Sequence, residues 1–223
     1  MLRKNVLLAA VLGIAAVSIP CAAQSPLTYR DSTGTREISI AIDEELLPSG
    51  SVIHSRMSDG EQHDVQIDPS AETVLYRVVS PQRLIDYTVR REGSLLVVDG
   101  VFEGKPVARS LRIDARPWYQ SMEWSLHDYV CSQSREPLLY WVVHPWEAKA
   151  YLMQARGEGI DEITLDGRPR YALRVRVSPA GILQLFWKTL YWFRPSDARY
   201  LRYEGIRGLP GTPKTTVELL GDG

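Results

Sequence analysis

Between residues 27 and 114 apolar and polar side chains alternate, with turn residues at intervals of about ten. That period of two restricts this half of the chain to antiparallel strands. Ile38, Ile40 and Ile42 fall on one face of a strand over 36–42, and further strands are expected over 52–56, 63–67 and 72–79. A meander follows over 84–90, 95–98 and 101–102, with turns at Glu92-Gly93 and Asp99-Gly100, and a strand over 107–113 closes this half. Asp-Gly between apolar runs predicts a type I′ hairpin turn, whose two central residues both need positive φ.

The alternation stops at Arg116-Pro117. Over 118–146 the spacing becomes helical: Met122, Leu126, Tyr129 and Val130 recur at intervals of three and four. A second helix is expected after Ser134, a candidate N-cap, with Pro137 early in it, Leu138, Leu139, Val142 and Val143 on its face and His144-Pro145 at its end. Strand patterning then resumes over 149–155 and 160–165. A turn at Asp166-Gly167 leads into 171–177, and further strands are expected over 185–193, 200–204 and 215–220. No repeat or linker divides the chain. The expectation is one domain over 24–223, mainly β within the α+β class, with a short helical pair inserted at about 118–146.

The N-terminus is expected to be an export signal. Arg3 and Lys4 precede an apolar run over 6–17 and the small residues Cys21, Ala22 and Ala23, which predicts cleavage after Ala23. The run is too short for a membrane span, which takes about 20 residues. Lipidation at Cys21 is the less favoured alternative, because Pro20 is a poor residue just before a lipidated cysteine. Cleavage leaves 24 basic against 27 acidic residues, a net charge of −3, so the balance offers no basic surplus for nucleic acid. Cys131 is then the one cysteine left, with no partner for an intramolecular disulfide, and a buried thiol is expected there. The localisation read from this is the periplasm.

Chemistry-bearing motifs are sparse. His127 and Cys131 are four apart and share a helix face, a spacing that suits a nucleophile with its base or two metal ligands. No third group accompanies them, so a buried cysteine beside a helix-face histidine is the favoured reading. His54 and His63 flank Asp59-Gly60, where a hairpin could pair them. The acidic clusters Asp43 to Glu45 and Glu158 to Glu162 read as solvated loops, and Gly205 to Gly211, with Pro210 inside, as a rigid turn. No phosphate loop, nucleophile elbow, zinc-protease motif or Cys-x-x-Cys pair occurs, so no catalytic residue, metal or cofactor is assigned.

Aromatic residues carry more information. Seven fall within the 29 residues of 118–146, against 20 in the whole chain, an enrichment that singles out this block. The run over 185–193 is apolar on both faces, with Trp187, Tyr191 and Phe193 on one and Phe186, Leu190 and Trp192 on the other. Both faces are therefore expected to be covered, by helices on one side and a core or cavity on the other.

The C-terminal third holds recognisable text. Tyr191-Trp192-Phe193-Arg194, Asp197, Arg199-Tyr200-Leu201-Arg202-Tyr203-Glu204-Gly205, then Gly208, Pro210-Gly211-Thr212-Pro213-Lys214-Thr215 and Val217-Glu218-Leu219 resemble a group of uncharacterised exported bacterial proteins that form a domain-of-unknown-function family. That group is similar in layout to the half-barrels of periplasmic lipoprotein carriers. The resemblance implies a strongly curved antiparallel sheet, a half-barrel, with the helical pair packed on its concave face, a hydrophobic cavity between them and no catalysis. Trp118, Trp124, Tyr129, Trp141, Trp146, Trp187, Tyr191 and Phe193 are the candidate ligand-binding residues. The expected partner is a hydrophobic small molecule, such as an acyl chain or lipid, or a lipidated protein. An envelope scaffold that binds a protein through a sheet edge is the alternative, and an enzyme using His127 and Cys131 the third.

Overall fold

The computed structural model of the protein describes residues 26–181, 187–206 and 212–221. The expected export signal, with Cys21, lies outside the described residues, as do 185–186 of the late apolar run and most of the segment from Gly205 to Gly211. Eight strands come first: β1 (Leu27–Thr33), β2 (Arg36–Leu47), β3 (Gly50–Met57), β4 (Gln62–Ile67), β5 (Thr73–Ser80), β6 (Ile85–Glu92), β7 (Leu95–Phe102) and β8 (Lys105–Arg112). Two short helices follow, α1 (Met122–Ser125) and α2 (His127–Cys131). The remaining strands are β9 (Leu138–His144), β10 (Lys149–Leu165), β11 (Arg168–Pro179), β12 (Thr189–Phe193), β13 (Tyr200–Gly205) and β14 (Thr215–Leu219).

All of them form one antiparallel, unclosed sheet of 14 strands, in the order β8-β7-β6-β5-β4-β3-β2-β1-β14-β13-β12-β11-β10-β9. β1 and β14 pair at its middle, with Tyr29 opposite Leu219 and Thr33 opposite Thr215. From there the chain meanders outward in both directions. β8 and β9, neighbours in the chain, therefore stand at opposite edges of the sheet, and one connection must cross between them.

The sheet curls to let it. On one side of the crossing segment, Tyr119 N–H donates to Trp141 C=O at 2.9 Å and Trp141 N–H donates to Pro117 C=O at 2.8 Å. On the other, Thr73 N–H donates to Trp118 C=O at 2.8 Å, and Gln120 N–H donates to Thr73 Oγ1 at 2.9 Å. Residues 117–120 thus tie β9 to the start of β5, and the Trp118 side chain is wholly buried between them. The Gln120 amide extends the same pairing: it donates to Val143 C=O at 2.8 Å and accepts from Val143 N–H at 3.0 Å. A second tie holds the β9–β10 turn to the opposite half. Tyr87 Oη donates to Pro145 C=O at 2.8 Å and Arg109 to Glu147 C=O at 2.9 Å.

The period-2 reading of 27–114 is met by β1 to β8; in β6, for example, Ile85, Tyr87 and Val89 are buried while Asp86 and Arg90 are not. The Asp99-Gly100 turn is not found. Both residues lie inside β7, opposite Thr88 and Tyr87, and the turn comes at Glu103-Gly104, where φ is 51° and 74°. Gly100 serves a different need: a Cβ there would stand 2.4 Å from Asp86 C=O, so only glycine allows this approach of β7 to β6. The second expected helix is corrected to strand β9, because Leu138 to His144 pair in register with Ala155 to Lys149. The first holds, with Leu126 and Val130 buried, although it breaks at Leu126 into α1 and α2. Neither acidic cluster is a loop: Asp43 to Glu45 belong to β2, and Glu158 and Asp161 lie in β10, paired with Arg174 and Arg176.

Trp118 fills space at the point where both halves meet. Trp118→Ala should lower unfolding stability by about 3–5 kcal/mol, the usual loss for a buried aromatic. Urea denaturation followed by circular dichroism measures this; a loss below about 1 kcal/mol would contradict the role given to Trp118.

Candidate functional site

The curled sheet lines a partly open cavity of about 300 Å³, at the lower end of the range for small-molecule sites. Its apolar wall comes from both halves of the sheet: Ile40 and Ile42 of β2, Val65 of β4, Val177 of β11 and Val217 of β14. Strand alternation produces this wall, since Ile40 and Ile42 are two apart and share the concave face. An aromatic wall of Trp187, Tyr191, Tyr200 and Tyr203 stands next to it, backed by the wholly buried Phe193 and Tyr29. Tyr191 and Tyr203 meet edge to face at 5.2 Å between ring centres. The crossing segment supplies Gln120 and Met122 as a plug, and β9 and β10 supply Tyr140, His144, Tyr151 and Met153.

One end of the cavity is polar and tightly connected. His63 Nε2 lies 2.9 Å from Glu61 Oε1, and His63 Nδ1 lies 2.7 Å from Tyr76 Oη. An imidazole with its proton on Nε2 satisfies both, donating to the carboxylate and accepting from the phenol. Glu61 also accepts from Ser80 Oγ at 3.0 Å and from Trp146 Nε1 at 3.3 Å to each oxygen. Burial alone would raise the Glu61 pKa. The hydrogen bonds from His63, Ser80 and Trp146 help to outweigh it, holding the carboxyl below its ordinary value. Burial raises the Tyr76 pKa well above its ordinary range, so it stays a phenol.

Trp146 is pinned from several sides. Besides its bond to Glu61, the Arg83 guanidinium sits 4.5 Å from its ring centre and the His144 ring meets it edge-on at 5.8 Å. Burial foremost, helped by the positive charges of Arg83 and Lys149 and opposed by Glu147, lowers the His144 pKa, so its ring is neutral near pH 7.

Among the expected ligand-binding residues, Trp146, Trp187 and Tyr191 stand in the cavity wall. Trp118 and Phe193 lie in solid core, and Trp124, Tyr129 and Trp141 do not line the cavity. Tyr129 has a local task, donating to Glu136 C=O at 2.9 Å and accepting from Gly157 N–H at 3.0 Å, which anchors α2 on β10. Trp141 donates to Asp114 at 2.9 Å. The far face of β12 is covered not by helices but by Arg202, 5.6 Å from the Trp192 ring centre, and by Asp161, which accepts from Trp192 Nε1 at 3.3 Å. The cavity residues missed are Glu61, Tyr76, Tyr140, His144 and Tyr151, and His63 was singled out only for a pairing with His54. The signal available for those on strands was a polar or amphipathic side chain at a cavity-facing position of an alternating strand.

His127 and Cys131 do come together, with Sγ 3.8 Å from Nε2, but on the outside of α2; Cys131 is exposed, against the expected burial, and neither residue lines the cavity. The His54–His63 pair is undone by register. His54 stands opposite Asp64 and His63 opposite Ser55, so the two rings project from opposite faces. No group of three or more metal-ligating side chains occurs among the described residues.

The arrangement is that of an open, curled antiparallel barrel with a plugged, largely apolar interior and one polar end. Neither a protein-family model nor a curated protein matches the sequence. Among solved structures, a β-barrel-like protein of the domain of unknown function DUF1849 from Brucella abortus overlays with a TM-score of 0.61 at 9% identity, over 88% of this chain and 96% of that one, which establishes a shared fold. The hypothetical lipoprotein YmcC from Escherichia coli (TM-score 0.41, 8% identity, 89% of this chain and 85% of that one) and a LolA superfamily protein from Nitrosomonas europaea (0.28, 10%, 88% and 84%) overlay more loosely. No helix among the described residues is long and apolar enough to cross a membrane.

The two depressed pKa values set the sign of acid sensitivity. His144 favours the neutral ring in the folded state, so its contribution is complete above its ordinary value of 6.5 and is lost as pH falls through the lower folded value. Glu61 acts likewise below 4.5. The thermal midpoint should therefore fall between pH 7 and 5, and His144→Phe should flatten that decline. Parallel profiles for the two proteins would contradict the assignment to His144.

Proposed function

We propose that the protein is a non-enzymatic envelope protein that holds an apolar ligand, such as an acyl chain, a lipid or the lipid of a modified protein, inside its curled sheet. The observation that carries this reading is the cavity of about 300 Å³ with its wall of Ile40, Ile42, Val65, Val177 and Val217. A wall of this kind offers water few hydrogen-bond partners, so an apolar occupant that covers it gains by removing that surface from water. The N-terminal signal pattern supports placement in the periplasm after cleavage at Ala23.

A non-catalytic role is supported by how the polar end is used. The hydroxyl that pairs with His63 belongs to Tyr76, a wholly buried phenol whose pKa burial raises well above its ordinary range, which makes it a poor nucleophile. His127 and Cys131 face away from the cavity. The scaffold alternative has less support, because the free edge β8 carries Lys105, Pro106, Arg109 and Arg112, residue types that discourage strand addition.

Native mass spectrometry of the protein isolated from its own envelope, followed by solvent extraction, tests the proposal. Co-purifying lipid or acyl chain is expected, and Val65→Trp, which fills the cavity at a modest cost of about 1–3 kcal/mol, should abolish its retention. A folded protein with no extractable ligand and no binding of apolar dyes would overturn it.

A further inference from the structure

The apolar-ligand reading leaves open what polar group the ligand carries, and the cavity wall is selective on this point. Tyr140 lines the cavity from β9, its side chain is wholly buried, and its hydroxyl has no hydrogen-bond partner among the described residues. Buried hydroxyls are ordinarily paired, and an unpaired one is destabilising, so this atom is poised to donate to something outside the chain's own groups. Tyr140 stays a phenol, because burial raises its pKa. On the same strand face, His144 Nδ1 is likewise without a partner.

The charges around the cavity have one sign. The lining holds two carboxylate residues, Glu61 and Glu123, and no lysine or arginine among the described residues. The Arg83 guanidinium, the near cation, is stacked on Trp146 and is not part of the wall. Glu61 already accepts from His63, Ser80 and Trp146. A carboxylate or phosphate drawn into this space would be desolvated beside like charge with no counter-ion, an arrangement strongly disfavoured in a low-dielectric interior. An ammonium would be drawn to Glu61 and Glu123 but offers Tyr140 no acceptor, so it forgoes the hydrogen bond that an alcohol or ester makes.

We propose, resting on the apolar-ligand reading, that the site is specific for uncharged amphiphiles, an alcohol or ester whose oxygen accepts a hydrogen bond from Tyr140, and discriminates against fatty-acid anions. Tyr140 is then a specificity-determining residue of the cavity.

The test is competition at pH 7.5 against the fluorescent apolar dye 1-N-phenylnaphthylamine, using decanol, decanoate and decylammonium, which share one chain and differ in charge. Decanol should displace the dye at a concentration at least tenfold below that of decanoate and below that of decylammonium. Tyr140→Phe should weaken decanol about fivefold relative to its effect on the dye, the worth of one neutral hydrogen bond, with the melting midpoint equal or higher. If the dye binds but decanoate competes as well as decanol, or if Tyr140→Phe leaves decanol unaffected, the specificity proposal falls while the apolar-ligand reading stands. If the dye does not bind the folded wild-type protein, both fall.

Discussion

Two strands that are neighbours in the chain stand at opposite edges of the sheet, and the architecture follows from the segment that joins them. Residues 117–120 must reach β9 on one side and β5 on the other, and they do so with main-chain hydrogen bonds to both, closed over the buried Trp118. A flat sheet of 14 strands would put its edges tens of ångströms apart, since strands are spaced by about 4.8 Å. The connection therefore demands curvature, and the twist natural to antiparallel strands supplies it. Concave faces turned inward make an interior, and the crossing segment plugs that interior without filling it.

The polar end of the cavity and the closure of the sheet are the same set of contacts. Glu61 sits just before β4, yet it accepts from Trp146 in the β9–β10 turn, a residue from the far edge. Tyr87 and Arg109 reach the same turn from β6 and β8. Charge and hydrogen bonding here hold the two halves of the sheet together, and hydrophobic burial along Ile40, Ile42, Val65 and Val217 provides the surface that an apolar molecule would meet. A molecule held in that space would touch both halves, and its binding would then favour closure.

Much of the fold was legible because alternation of apolar residues is a local property: Ile40 and Ile42 announce both their strand and their face. Leu138 to His144 misled because a short apolar run has no decisive period, and pairing with β10 settled its state. Asp99-Gly100 carried hairpin chemistry, yet Gly100 was needed for close approach to Asp86, a contact with no local signature. The aromatic enrichment of 118–146 pointed to the right region and to Trp146, but Trp118 and Tyr129 pack or anchor, and Tyr140, which lines the cavity, was not among the candidates. Glu61, His63 and Tyr76 gather through strand register, which spacing alone does not reveal, and the same register keeps His54 apart from His63.

The central claim is that the interior of the curled sheet is an accessible apolar space. Xenon pressurised into crystals reports this directly, because it enters apolar cavities and scatters strongly. The account predicts a xenon peak between the side chains of Ile42, Val65 and Val217. Xenon bound solely at the outer surface, with those side chains packed against the opposite wall, would contradict it.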